Sequence, residues 1–247
     1  MNRVFAEVCG IHAGDGYLRN NGKRGELDIS GSVEERGYYD QHVIPLFSKE
    51  FNISITGKFF PSRNTYGFVI REKRILERMH AQGFPYGKKS LTVHVPKRVF
   101  EKMAYKKSFL RGFFDTDGCL FYQKKTTGKY VALKKQRNYY PQIILSSVSK
   151  ILIKEVKEML EDLDFTLFHA SYTSKKENEN TTHVIHLNGI KNVQNWIDNV
   201  GTKNPTKYTR YLIWKKYGFC PPRTTYDDRL KILKGEICPQ SYYGPVV

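Results

Sequence analysis

Apolar and polar residues alternate along the chain in a pattern that predicts the same series of elements twice. Apolar positions at helical spacing predict helices, and short apolar runs between turn residues predict strands. The predicted helices cover residues 38–50, 73–82, 150–163, 190–200 and 208–217. The predicted strands lie near residues 27–29, 53–61, 65–70, 120–125, 142–147, 167–173 and 183–187. One further helix is expected at the start of each half. Each half is therefore predicted to have the order helix, two strands, helix, two strands, helix.

The two initial helices end in segments that resemble each other. Residues 8–18 and 110–120 each contain a glycine, an aspartate five positions later, then a glycine, one spacer and a leucine. The aspartates are Asp15 and Asp117, which lie 102 residues apart. That spacing is too long for a solenoid unit and suits a duplicated half-domain.

Small residues on these helices predict that they pack side by side. Gly10, Ala13 and Gly14 leave a smooth face on the first helix, and Gly112 and Thr116 do so less fully on the second. Glycine inside a helix costs about 1 kcal/mol relative to alanine. Close packing of two helices would explain why glycine occurs at these positions. Gly16 and Gly118 are expected to end the helices.

Parallel packing would bring the two aspartates together. Two carboxylates and two negative helix ends then converge, which raises the pKa values of the carboxyl groups. A hard divalent cation with oxygen ligands, Mg²⁺ in particular, relieves that repulsion. Beside a nucleic-acid surface, this arrangement is suited to metal-assisted phosphodiester hydrolysis.

The charge of the chain favours a polyanionic partner. It has 41 Lys and Arg against 24 Asp and Glu, a formal net charge of +17 in 247 residues. Residues 121–140 contain six basic and no acidic residues, with tyrosines between them. An excess of this size on a globular chain predicts nucleic-acid binding.

Cysteine spacing and hydropathy favour an intracellular, reduced protein. The four cysteines lie far apart without a CxxC pair, which argues against structural zinc or a disulfide framework. There is no apolar run near the roughly 20 residues of a membrane helix and no signal-peptide pattern. We therefore expect a cytoplasmic, nucleoid-associated protein that does not bind membranes.

At its two motifs the chain resembles the LAGLIDADG homing endonucleases, specifically the archaeal single-chain type with two motifs, also called meganucleases. Residues 109–118 match closely, whereas in residues 8–16 Ala13 stands where many members carry an acidic residue. Residues 140–141, 145–150 and 213–222 also look like archaeal members, and the resemblance covers about residues 3–235.

The resemblance implies an α+β fold with a pseudo-twofold repeat of αββαββα halves. The motif helices would form the interface, and two curved antiparallel sheets would form a DNA-binding saddle. The implied regions are an N-terminal half (1–93), a linker (94–106), a C-terminal half (107–202) and a C-terminal helix and tail (203–247). A monomer would suffice, because one chain carries both motifs.

The resemblance also implies an activity and its residues. Asp15 and Asp117 would bind Mg²⁺, with Mn²⁺ or Ca²⁺ able to substitute, and the carbonyl groups of Gly14 and Thr116 would be further ligands. The enzyme would cut both strands of a long, asymmetric double-stranded DNA site, and its gene would be associated with an intron or intein.

Many members have a basic residue near the metal, but no unique equivalent stands out here. Arg71, which follows the last predicted strand of the first half, is our candidate catalytic cation. His186 or Asn188 occupies the matching region of the second half.

DNA contacts are expected on the strands, because strands enter the major groove with alternate side chains toward the bases. In the first half the candidates are Arg19, Lys23, Arg24, Lys58, Arg63 and Asn64. In the second half they are Lys124, Lys134, Arg137, Gln142 and, as a phosphate contact at a helix start, Lys150.

Other interpretations explain less of the sequence. Residues 113–118 resemble the first motif of haloacid-dehalogenase-type phosphatases, with Asp115 as nucleophile and Asp227 and Asp228 as a distal acidic pair. That fold needs a buried strand before Asp115, whereas residues 105–112 are predicted to be helical. Residues 83–90 resemble a phosphate-binding loop with a glycine spacing one residue short, and we interpret them as a basic loop.

A non-enzymatic function stays open. The same fold serves as a nucleic-acid-binding module in intron maturases and transcription regulators that resemble this family, so intron RNA is a second candidate partner. The presence of both Asp15 and Asp117 favours cleavage.

Overall fold

The computed structural model describes residues 1–22, 24–124, 137–173 and 179–243. Its helices are α1 (Arg3–Asp15), α2 (Ile44–Phe51), α3 (Lys73–His80), α4 (Met103–Asp117), α5 (Lys150–Glu161), α6 (Gly189–Asn199), α7 (Pro205–Tyr217) and α8 (Tyr226–Lys234). Its strands are β1 (Gly16–Asn20), β2 (Gly25–Ser32), β3 (Lys58–Phe60), β4 (Thr65–Ile70), β5 (Cys119–Gln123), β6 (Tyr140–Ser147), β7 (Phe168–Tyr172) and β8 (Thr182–Asn188). The predicted α+β class is confirmed.

The two halves have the same sheet topology. One sheet has the order β1-β2-β4-β3 and the other β5-β6-β8-β7, and neighbouring strands in both are antiparallel. The registers also correspond, since Tyr17 pairs with Asp28 in the first sheet and Cys119 with Ile144 in the second. The predicted duplication therefore extends to individual strand positions.

The motif helices α1 and α4 pack in parallel through their glycines. A Cβ atom on Gly10 would lie 2.9 Å from the carbonyl carbon of Phe109, and one on Gly112 would lie 2.8 Å from the nitrogen of Ile11. These distances leave no room for a side chain, so the predicted close approach is confirmed. Apolar residues such as Val8 and Phe113 on the same helices are fully buried in the core.

The glycines that end α1 and α4 have a different role from the one expected. Gly16 (φ −84°) and Gly118 (φ −77°) are extended and not left-handed. A Cβ on Gly16 would overlap the ring of His12, and one on Gly118 would overlap Phe114. Lack of space explains glycine here, and the extended conformation leads directly into β1 and β5.

Several predicted boundaries differ from the structure. The strand predicted at 53–61 is only Lys58–Phe60, and the helix predicted at 38–50 begins with a π-helical stretch, Tyr39–Val43. The predicted linker 94–106 contains a 3₁₀ helix, Lys97–Glu101, and the first residues of α4.

The C-terminal segment, expected to be one helix and a tail, contains a second helix, α8, after α7. A capping box of Thr225 and Asp228 begins α8, and the buried Arg229 forms an ion pair of 3.2 Å with Glu34 of the first half. A long-range ion pair of this kind leaves no periodic signal in the sequence. Within the described ranges, no helix combines the length and apolar character needed to cross a bilayer.

Candidate active site

The two motif aspartates lie at the same end of the helix pair. A Cβ atom on Gly14, the neighbour of Asp15, would lie 3.3 Å from Cγ of Asp117. The Asp15 carboxylate accepts a hydrogen bond of 2.6 Å from the hydroxyl of Tyr39 and lies close to Gly31 of β2. Asp15 is half-buried and Asp117 is exposed, so this end of the pair is open to a substrate.

Each of these helix ends is contacted by one lysine. Lys89 Nζ donates hydrogen bonds of 2.6 Å to the carbonyl oxygens of Ala13 and Gly14, and it also contacts that of His12. Lys207 Nζ donates to the carbonyl oxygens of Phe114 (2.6 Å) and Thr116 (2.8 Å). Because the C-terminal end of a helix is partially negative, each ammonium group is favourably placed. Both halves thus have an aspartate and a lysine at the end of the motif helix.

The environment shifts the protonation of this cluster. Desolvation by burial raises the pKa of Asp15 to about 7; the Tyr39 hydrogen bond opposes this rise, and the charge of Asp117 adds to it. Desolvation also raises the pKa of Asp117, which the charges of Lys89 and Lys207 oppose. The pKa of Lys89 is lowered to about 8 by desolvation, against the attraction of both aspartates. Near neutral pH the cluster can therefore exchange protons.

A second set of polar contacts positions the segment that carries Lys207. The buried Asp115 carboxylate accepts hydrogen bonds from the Thr202 hydroxyl and from the Lys203 amide (2.7 Å), and the pKa of Asp115 is raised to about 6 by burial. Asn204 donates to the carbonyl oxygen of Asp115 (2.8 Å) and to Glu35 (2.6 Å). Asp115 is thus a structural anchor between α4 and the start of α7, in contrast to the nucleophile of the phosphatase alternative.

The donor atoms at this site fit a hard divalent cation. They are the carboxylates of Asp15 and Asp117 and the adjacent carbonyl oxygens of Gly14 and Thr116, and oxygen ligands suit Mg²⁺, Mn²⁺ and Ca²⁺. In the part of the chain that the structure describes, no cluster of three or more His, Cys, Asp or Glu side chains is arranged to hold a metal. The groups that could hold a cation here are the two carboxylates together with backbone oxygens.

Arg71 does not lie with the aspartates. It follows β4 at the end where Leu27 pairs with Ile70, and it forms an ion pair of 3.5 Å with Glu26. Asp15, in contrast, lies beside Gly31 at the other end of β2. Among the described residues, Lys89 and Lys207 contact the helix ends beside the aspartates, and they were not among the sequence-based candidates.

The sequence contained only a weak signal for the two lysines. Lys89 belongs to the segment that we interpreted as a basic loop, and Lys207 lies in the segment after Gly201. They are 118 residues apart, whereas the aspartates are 102 apart. Unequal connections in the two halves therefore conceal the correspondence.

Among the DNA-contact candidates of the first half, Arg19 and Lys58 lie on strands of the first sheet and the other described ones lie in connections between its strands. Arg19 forms an ion pair with Glu26 (2.8 Å), and Arg63 forms one with Asp28 (2.9 Å) while stacking on the Phe60 ring. The remaining candidates are Lys58, which also lies over the Phe60 ring, Asn64 in a left-handed turn, and Arg24 in the β1–β2 connection. Lys23 lies outside the described residues.

The second-half candidates are dispersed. Gln142 on β6 donates a hydrogen bond to Asn188 of β8, and Lys150 is the first residue of α5. Lys124 and Arg137 lie over the rings of Tyr243 and Phe219 in the C-terminal segment. Lys134 lies outside the described residues.

Comparison with solved structures finds the same fold. The I-DmoI structure in complex with DNA and Mn matches with a TM-score of 0.52 and 14% identity, over 81% of this chain and 96% of that chain. The I-LtrWI LAGLIDADG homing endonuclease bound to target DNA matches with a TM-score of 0.54 and 13% identity, over 87% and 89%. The N-terminal LAGLIDADG domain of DUF199/WhiA matches with a TM-score of 0.51 and 13% identity, over 81% of each chain.

Comparison with curated proteins finds two relatives. The replication factor C small subunit of Methanocaldococcus jannaschii is 25% identical over 210 residues, 80% of this chain. The tRNA-splicing ligase RtcB of Pyrococcus furiosus is 24% identical over 227 residues, 87% of this chain. The match spans only 11% and 23% of the lengths of those two proteins.

A family model described as LAGLIDADG-like domain matches residues 104–201. The first half repeats the sheet order of that region around a second motif helix. The family model thus covers most of the second half of the chain, and the first half has the same sheet order and a second motif helix that ends at Asp15.

Proposed function

We propose that this protein is a site-specific endonuclease that hydrolyses both strands of a long, asymmetric double-stranded DNA target. The observation that carries the proposal is the pairing of Asp15 and Asp117 beside Lys89 and Lys207 at the open end of the helix pair. Structures with this fold include a homing endonuclease bound to its target DNA, which supports DNA as the substrate.

A divalent cation, Mg²⁺ in the cell, would be held by Asp15 and Asp117 with the carbonyl oxygens of Gly14 and Thr116, and would supply Lewis-acid charge for phosphodiester hydrolysis. Each carbonyl oxygen has two lone pairs, so the contact with a lysine leaves one for a second partner. Burial raises the pKa of Asp15 to about 7, and a bound cation would lower it again and keep the carboxylate ionised as a ligand.

The lysines provide the cationic groups that phosphodiester cleavage requires. A scissile phosphate at the open end would lie beside the ammonium groups of Lys89 and Lys207, which would stabilise the negative charge that develops on its oxygens. Lys89 contacts the end of α1 and Lys207 contacts the end of α4. We therefore assign each lysine to the cleavage of a different DNA strand. One chain provides both sets, and we therefore propose a monomer that acts on DNA inside the cell.

The test is cleavage of a randomised duplex library in Mg²⁺. The native chain is compared with Asp15→Asn, Asp117→Asn, Lys89→Met and Lys207→Met, and with Asp198→Asn as a control that removes an exposed carboxylate on α6. We expect discrete double-strand cuts by the native chain and the control. Each of the four site variants should lose at least about 100-fold in rate while DNA binding persists.

Two results would contradict the proposal in different ways. Selective binding by the native chain without cuts would indicate the non-cleaving alternative, a regulator or maturase, and structured RNA would be assayed next. Absence of binding to any duplex at low salt would remove DNA as the partner.

A further inference from the structure

The two sheets present different chemistry at corresponding positions. In the first sheet, Arg19 pairs with Glu26, and Arg71, the residue after β4, contacts Glu26. The strand registers show that the corresponding row in the second sheet is Phe121, Gln142 and Asn188. In the neighbouring rows Asp28 corresponds to Ile144, and Lys58 to Ala170. Five charged positions of the first sheet are thus uncharged in the second.

The charged side chains of the first sheet are held in place by one another. Arg19 contacts Glu26 at 2.8 Å, Arg63 contacts Asp28 at 2.9 Å, and Ser30 donates a hydrogen bond of 2.8 Å to Asp28. An oriented guanidinium group commonly binds the O6 and N7 atoms of guanine, and a carboxylate accepts a hydrogen bond from cytosine N4. This face therefore suits G·C base pairs.

The same face of the second sheet exposes several large apolar side chains. Phe121 is 42% exposed, Phe168 is 59% exposed and Tyr172 is 56% exposed. Across the sheet, Ile144 lies in one row with His186 and Phe168. Polar groups on this face are His186 in the row, Ser146 in one neighbouring row, and the largely buried Gln142 with Asn188 in the other, where the two amides contact each other.

The occupant of this face follows from the internal symmetry. The second sheet follows Asp117 as the first sheet follows Asp15, so a duplex that spans both aspartates lies on both sheets. Apolar side chains contact the thymine methyl group in the major groove, and glutamine and asparagine form paired hydrogen bonds with adenine. The exposed aromatic residues then have a partner that would cover them.

On the basis of the proposed function, we propose that the two halves of the DNA target differ in composition. The half-site on the first sheet is rich in G·C pairs, which Arg19, Arg63, Glu26 and Asp28 recognise. The half-site on the second sheet is rich in A·T pairs. Phe121, Ile144 and Phe168 recognise the thymine methyl groups, and Gln142 with Asn188 recognises adenine.

The experiment is selection of bound duplexes from a randomised pool by the full chain in Ca²⁺, followed by base replacement in each half-site. We expect A·T enrichment in one half only. Uracil in place of thymine removes only the methyl group, and it should weaken binding about fourfold per contacted base in that half and leave the other half unaffected. Gln142→Glu, which installs the residue type of Glu26, should shift the preference from adenine toward cytosine by about tenfold.

A second variant tests the inference at an exposed side chain, where a substitution is not expected to disturb folding. Phe168→Ser changes an exposed side chain and should reduce the effect of uracil, whereas Met103→Ser, 43% exposed at the opposite end of α4, should leave that effect intact. A target with G·C pairs in both halves, or no effect of uracil, would overturn this inference while selective cleavage upheld the proposed function. Lack of selective binding to any duplex would overturn both.

Discussion

At the residue scale, Lys89 and Lys207 offset charge that a bound cation would otherwise balance. Their ammonium groups contact the last carbonyl groups of α1 and α4 and attract Asp15 and Asp117. The two ammonium groups do not fully offset the cost of burying these charges, because the pKa of Asp15 remains raised and that of Lys89 remains lowered. The metal-free site is therefore electrostatically unfavourable at neutral pH.

The stability of the metal-free protein should pass through a minimum near pH 7–8. In the folded state Asp15 has a pKa of about 7, whereas in the unfolded state it has the ordinary value of 3.8. Between these two pH values the folded state binds more protons than the unfolded state. The free energy of unfolding therefore falls as the pH rises from about 4 to 7. Lys89 has a pKa of about 8 in the folded state and 10.5 in the unfolded state. Between these values the unfolded state binds more protons, so the free energy of unfolding rises again above pH 8. Asp15→Asn should remove most of the fall in the free energy of unfolding below pH 7. At pH 7.5 the variant should be more stable than the native chain by about 2 kcal/mol.

Urea denaturation across pH 4–10 in the presence of a chelator measures this profile. Asp198→Asn, on the exposed surface of α6, is the control and should keep the minimum. A profile of Asp15→Asn identical to that of the native chain would contradict the assignment of the minimum to this carboxylate.

At the scale of elements, the packing of α1 against α4 determines where the aspartates meet. The glycines could be predicted to lie at a close helix contact, because small residues at helical spacing on both helices have few other uses. The contact itself is between backbones: the carbonyl group of Phe109 faces Gly10, and that of Glu7 faces Gly112. Backbone atoms cannot move aside as a flexible side chain can.

Gly10→Ala should therefore destabilise the protein by about 3 kcal/mol, at the upper end of typical overpacking costs. Gly37→Ala is the matched control, because Gly37 lies in a helical turn and its nearest neighbour to an added Cβ is at 3.9 Å. The control should be neutral or stabilising by up to about 1 kcal/mol, from the higher helix propensity of alanine. Thermal unfolding of both variants makes the comparison; equal effects would show that helix propensity, and not close packing, is decisive.

At the scale of the whole molecule, the net charge of +17 and the two sheets act together. On the proposed function, the charge would draw the chain to DNA without regard to sequence, and the different side chains of the two sheets would distinguish one half-site from the other. Affinity for DNA should fall at least about 1,000-fold between 50 and 200 mM salt, as expected for six or more phosphate contacts.

A single-residue comparison tests that salt dependence. Lys150→Gln, at the first position of α5, should reduce the slope of log affinity against log salt by about 1. Lys157→Gln on the same helix, where the lysine is paired with Glu161, should leave the slope unchanged. Fluorescence anisotropy titrations at five salt concentrations would measure both, and equal slopes for the two variants would remove Lys150 from the interface.

Local pattern in the sequence alone determined the order of elements, the duplication and the pairing of the two aspartates. These features depend on periodicity, small residues and turn residues within a few positions of one another. The approach of Lys89 to Gly14 and of Lys207 to Thr116 bridges 75 and 91 residues, and the connections between them differ in the two halves. Only tertiary structure decided those contacts, and also the pairing of Arg71 with Glu26 and the anchoring of α8 by Arg229. Strand register, which long-range packing establishes, likewise decided which side chains share a sheet face and so made the two faces differ.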